Sequence, residues 1–89
     1  MARAAAGGGE DVTTKQLVEA AKAAQRRSDF ETLEHTARRL VTRCTKSGDA
    51  RGLGNAYAYL GAACVGQSDA PAARLAFERS RESLAAIHD

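Results

Sequence analysis

The sequence predicts an all-α fold of four helices paired into two antiparallel hairpins. Three observations carry that prediction. Apolar residues recur at helical spacing in four successive stretches. The stretches are bounded by Ser, Thr or Asp at their starts and, for the second and third, by Gly at their ends, the residues that cap and stop helices. The gaps between them are two to three residues long, too short for anything but antiparallel neighbours. Eighty-nine residues make one domain at most. Residues 12–89 carry the helical pattern. Residues 1–11, opening MARAAAGGGE, read as a disordered Ala/Gly leader, because three consecutive glycines lose too much backbone entropy to hold a helix.

The first helix starts at Thr13, where Gln16 three residues on completes a capping box. Leu17, Val18, Ala20, Ala21 and Ala24 give it a small apolar face, and the pattern ends near Arg27. The second helix follows at once. Ser28 with Glu31 reads as its capping box, and Asp29 favours the positive helix start. Its apolar stripe is Phe30, Leu33, Ala37, Leu40, Val41 and Cys44, and Gly48 is its stop.

The third helix is capped by Asp49 and ends at Gly66, with Gly52, Gly54 and Gly61 inside it. An interior Gly costs about 1 kcal/mol against Ala, so a close neighbouring backbone is expected to compensate, above all at Gly61. The fourth helix opens at Ser68-Asp69, with Pro71 in its first turn where no N–H is needed. Its apolar stripe is drawn from Ala73, Leu75, Ala76, Phe77, Ser80, Leu84 and Ile87.

Charge is unevenly spread within a net +2. From Val12 to Ser47 there are eight Lys/Arg against four Asp/Glu, and from Gly48 to Asp89 four against five. A bias this mild suits an acidic partner segment better than a dedicated nucleic-acid surface. Cys44 and Cys64 both fall on apolar faces and read as buried free thiols. That points to a reducing, intracellular and cytoplasmic setting. No apolar run reaches the ~18 residues of a membrane span.

One stretch is more specific. Tyr57-x-x-Leu60-Gly61-x-x-Cys64, followed by Ala73-x-x-x-Phe77, resembles the tetratricopeptide (TPR) helix-turn-helix repeat. Forty residues earlier stand Leu17, Ala20, Ala21, Ala24, Leu33 and Ala37, all apolar. Ser28-Asp29-Phe30-Glu31 resembles the G-D-Y/F-E turn common in such repeats. The run Gly48-Asp49-x-x-Gly52-x-x-x-Ala56-Tyr57-x-x-Leu60-Gly61 resembles the junction of long-repeat TPR proteins, as in spindle-orientation adaptors and kinesin light chains. The chain departs from the pattern in three ways. Cys64 replaces an aromatic, the first unit has lost its Gly and keeps only Phe30 among the large aromatics, and the closing proline is missing. The resemblance implies two units, about 14–47 and 54–87, stacked as a short right-handed superhelix. Its concave face would come from the first helix of each pair.

On that geometry the candidate partner-binding groove is Lys15, Val18, Lys22, Gln25 and Arg26 with Asn55, Ala58, Tyr59, Ala62 and Val65. Its basic and apolar walls would suit an acidic-hydrophobic peptide or a partner helix; the same residues also describe a plain solvated helix face. A second candidate is a basic face of Arg38, Arg39, Arg43 and Lys46. Complementation of the helix dipole explains it without a ligand, and the alternative is an anionic partner. No aromatic is interleaved there, which argues against single-stranded nucleic acid.

Cys44, Cys64, His35 and His88 match no zinc spacing, and no pair of them reads as a nucleophile and its base. No paired carboxylates and no phosphate loop are apparent. The expectation is therefore a non-enzymatic interaction or scaffold module without cofactor or metal. Its alternatives are a small nucleic-acid-associated helical protein and an oligomerising four-helix bundle. The fourth helix keeps its apolar stripe to Ile87, so self-association, docking on a larger assembly, or continuation into further repeats is expected to cover it.

Overall fold

A computed structural model describes residues 12–87, and they are all-α. The helices are α1 (Thr14–Arg26), α2 (Phe30–Ser47), α3 (Ala50–Gly66) and α4 (Ala70–Ile87). Each packs on the next in sequence. The expected leader, 1–11, and His88 lie outside the described residues.

The starts and stops are set locally. Thr13 caps α1 in the expected capping box: its hydroxyl accepts from Gln16 N at 3.0 Å, and Gln16 Oε1 accepts from Thr13 N at 2.8 Å. Asp49 caps α3, accepting from Gly52 N at 2.9 Å. The expected capping box at the second start is absent. Ser28 adopts the left-handed φ of 58°, and Asp29 is the N-cap, accepting from Thr32 N at 3.3 Å. The reason is the turn: the chain must reverse within two residues, and a left-handed residue does that. Ser28 therefore cannot also hold the extended conformation of a cap.

The three turns are built alike. Ser28, Gly48 and Ser68 carry φ of 58°, 71° and 63°, the positive-φ residues among those described. Each is followed by an Asp whose side chain accepts from the N–H three residues on, at Thr32, Gly52 and Ala72. Each Asp N–H also donates back to the residue five before it: Asp29 to Ala24 at 2.9 Å, Asp49 to Cys44 at 3.0 Å and Asp69 to Cys64 at 2.8 Å. The turns thus recur every twenty residues, so the forty-residue hairpin spacing seen in sequence is made of two equal halves. Burial follows the same period: Thr36, Ala56 and Ala76 are buried, as are Ala24, Cys44 and Cys64, and Leu40, Leu60 and Ser80.

Two apolar clusters hold the helices together. Leu17, Ala21 and Ala24 of α1 meet Leu33 and Leu40 of α2 and Ala56 and Ala63 of α3. Ala37 of α2 meets Leu60 and Cys64 of α3 and Ala73 and Ala76 of α4. Tyr59 packs against both clusters. Burying a Leu such as Leu33 or Leu40 contributes about 1.5–3 kcal/mol. Alanine dominates elsewhere, so the helices lie close together on small residues. Of the six apolar positions in the first unit, Ala20 is exposed and the other five are buried.

The helical glycines are explained by neighbouring side chains, not by the neighbouring backbones expected. A Cβ on Gly61 would stand 2.5 Å from the Phe77 ring, one on Gly54 2.6 Å from Leu84, and one on Gly66 would run into the Phe30 ring. Ser80 strengthens the same α3–α4 seam, donating its hydroxyl to Gly54 O at 2.7 Å. The expected α4 stripe is partly corrected as well. Ala73, Ala76 and Ser80 are buried, whereas Leu75, Phe77 and Ile87 remain 52%, 43% and 38% exposed. α4 packs chiefly against α3, and its outer sides meet solvent.

Candidate binding site

The α2 helix separates two faces. At about 100° per residue, Arg39, Arg43 and Lys46 share one side of it, while Arg38 lies roughly 80–140° away. The expected four-residue basic face therefore does not exist as one surface. Arg38 turns toward α3, where its Nε and Nη2 donate to Glu34 at 3.1 and 2.8 Å. Gln67 of the α3 C-cap donates to the other Glu34 oxygen at 2.8 Å. Those bonds, from Gln67 first and Arg38 second, hold the Glu34 carboxyl below its ordinary range.

The other three cations gather around a concavity of about 600 Å³ between α1 and α2. Its lining is Leu17, Arg39, Thr42, Arg43, Lys46 and Ser47. Antiparallel pairing brings the start of α1 beside the end of α2, which is why Leu17 meets residues of the last α2 turns. Arg43 donates through Nη1 to the carbonyl of Val12, tying the approach to α1 onto α2. Around the concavity three cations and two hydroxyls surround an apolar contact. The cations offer charge-assisted donors of the kind carboxylates accept, above the buried Leu17. No aromatic lines it.

The expected groove residues on α1 and α3 are all at the surface. Lys15, Lys22, Gln25, Arg26, Asn55 and Val65 are exposed, and Val18, Ala58, Tyr59 and Ala62 are partly buried. Val18, Tyr59 and Ala62 pack against the same apolar cluster, which draws α1 and α3 residues toward one seam. Lys22 reaches Glu19 at 4.0 Å, with both side chains at least half exposed, and such a pair is worth little.

Sequence reading missed Leu17, Thr42 and Ser47 as lining residues. Leu17 reads as core, which its burial bears out, and the two hydroxyls carry no signal until α1 is folded onto α2. It missed Tyr57, Leu60, Leu75 and Arg79 as well, which come together on the far side of α2.

Cys44 and Cys64 are free and buried, and burial raises both thiol pKa values. His35 is exposed on α2. Among the described residues no group of three or more His, Cys, Asp or Glu is gathered, and no helix is long and apolar enough to cross a membrane. Comparison with family models, with curated proteins and with solved structures finds no match to the chain.

Proposed function

We propose that the chain is a non-enzymatic, TPR-like interaction module that binds an acidic, partly apolar segment of another protein. The observation that carries this is the lining of the α1–α2 concavity: Arg39, Arg43 and Lys46 with Thr42 and Ser47 around Leu17. Three cations beside an apolar floor suit carboxylates spaced along a chain with an aliphatic residue between them; the Thr42 and Ser47 hydroxyls already donate to Arg38 O and Cys44 O. The α1 cations Lys15, Lys22 and Arg26, on the helix that carries Leu17, add to the positive field that steers such a segment.

The TPR reading is supported by the repeat itself. Two hairpins share one turn geometry, with a left-handed residue where the family's G-D-Y/F-E turn carries Gly. The right-handed stacking and the α1/α3 groove belong to this proposal, and so does an intracellular role as part of a larger assembly.

The experiment is a binding comparison. A fluorescein-labelled peptide of alternating Glu and Leu should bind and raise anisotropy, and binding should weaken as salt rises. A single-stranded RNA oligomer of equal charge should bind far more weakly, because no aromatic in the concavity stacks on its bases. RNA binding as tight as the peptide, or no peptide binding at low salt, contradicts the proposal.

A further inference from the structure

A second concavity lies on the opposite side of α2 from the basic one. Two hollows of about 210 and 340 Å³ share Arg38, Tyr57 and Leu60, which makes them one groove along α3. Its floor is Tyr57, Leu60 and Cys64 of α3. One wall is Arg38, Val41 and Thr42 of α2, and the other is Leu75, Ala76 and Arg79 of α4. Thr42 touches both this groove and the basic concavity, so α2 is the ridge between them.

The lining has a definite chemistry. It is apolar along its length, with an arginine on each wall and no carboxylate. Leu75, 52% exposed, stands on the α4 wall with its aliphatic surface in solvent. Arg79 is exposed and makes no ion pair among the described residues. Arg38 is held in place by two bonds to Glu34, which is itself held by Gln67. A guanidinium fixed in advance loses less freedom when a ligand arrives. The volumes suit two or three side chains rather than a whole helix.

We propose that this groove is a docking site for an amphipathic helix of a partner protein. The partner's apolar residues, one turn apart, would enter over Tyr57, Leu60 and Leu75. Its flanking carboxylates would meet Arg79 and the edge of Arg38. Apolar anchors on one helix face with charge at the rim are the usual terms of helix-in-groove recognition. The commitment to an acidic partner rests on charge complementarity at Arg79, the rim cation with no ion pair among the described residues, since Arg38 is already paired with Glu34. This site does not depend on the α1–α2 concavity.

The probe is a synthetic helical peptide with a leucine stripe flanked by glutamates, and a control with lysines in their place. Titrated into the ¹⁵N-labelled chain, the acidic peptide should shift the amides of Leu60, Cys64, Leu75 and Ala76. Leu75→Glu should weaken it at least about tenfold, as loss of an anchor does. Arg79→Glu should weaken it about fivefold or more, in the range of charge reversal at a rim. Arg51→Gln, an exposed residue that lines neither concavity, should leave the affinity within about twofold. Leu75 and Arg79 are surface residues, and unchanged circular dichroism of both variants confirms the fold. Equal binding of the lysine control overturns the proposal. So do shifts confined to Lys46 and Ser47, or the absence of shifts. A Leu75-dependent dimer in sedimentation overturns it too, since the occupant would then be a second copy.

Discussion

The ring of Phe77 fills the space that a Cβ on Gly61 would occupy, 2.5 Å from its Cε1. The contact joins α3 to α4 at the centre of the second hairpin, and it sets a sign test. Ala is favoured over Gly inside a helix by about 1 kcal/mol, but here the added methyl must displace the ring. Gly61→Ala should lower stability by about 1 kcal/mol net, and Gly61→Leu by several times that. In a Phe77→Ala background Gly61→Ala should instead raise stability by about 1 kcal/mol, as propensity alone dictates. Urea denaturation of the four variants measures the cycle. The same effect of Gly61→Ala in both backgrounds removes the contact from the account.

The twenty-residue turn predicts a matched set of effects. Asp29→Ala, Asp49→Ala and Asp69→Ala each remove an N-cap acceptor and should each cost about 1 kcal/mol. Ser28→Gly and Ser68→Gly should do the opposite. Each relieves a left-handed Ser in the range of about 1 kcal/mol, less the extra entropy Gly gives the unfolded chain. Thermal melts of the five variants should fall into these two groups. Ser→Gly variants that melt lower than the parent would mean the positive φ is not maintained in solution.

Acid should weaken the link between the hairpins. The Glu34 carboxyl, bonded to Gln67 and Arg38, is held below its ordinary value of 4.5, and Asp29, bonded to Thr32, is held below 3.8. A lowered folded-state value means stability that is present in full above the unfolded value and is lost as pH falls through the folded one. Stability should therefore be flat near neutrality and decline below about pH 5. Glu34→Gln should reduce the decline, because the titrating group is gone. An unchanged acid limb in that variant would remove Glu34 from the linkage. The salt bridge itself is surface-exposed, so a large effect at neutral pH is not expected.

Thiol chemistry reports the core. Cys44 and Cys64 are buried with raised pKa values, so both should resist a thiol reagent such as DTNB at neutral pH. Their reaction rate should rise with urea in step with the loss of helix. Fast labelling of either thiol in the native chain would place it at the surface.

Much of the fold was legible because helix boundaries are local. Thr13 with Gln16, Asp49, Pro71 and the Gly48 stop each act within a turn of their own position. Ser28 was not legible. The residue suits a cap as well as a turn, and only the adjacent Asp29, with the same pair at Ser68-Asp69, shows which role it takes. Comparing Ser28, Gly48 and Ser68 at twenty residues would have revealed it; comparison at forty hid the Gly48 turn between them. The site was less legible than the fold. Arg38 and Arg39 are adjacent in sequence but line different concavities on either flank of α2, a separation of about 100° that helical geometry fixes and a run of basic residues conceals. Tyr57, Leu75 and Arg79 come from two helices, and no spacing rule joins them to Arg38 before the hairpins are packed.

The central claim is that the α1–α2 concavity seats an acidic segment, and one measurement addresses it most directly. The affinity of the labelled Glu/Leu peptide is compared between the parent chain and an Arg43→Gln, Lys46→Glu double variant, with Leu75→Glu as the control on the other face. Removing one cation and reversing another should weaken binding by tenfold or more, since each lost charge-assisted contact is worth about 1.5–3 kcal/mol when desolvated and less at an open surface. Leu75→Glu should leave it unchanged. Equal affinity of the parent and the double variant contradicts the account.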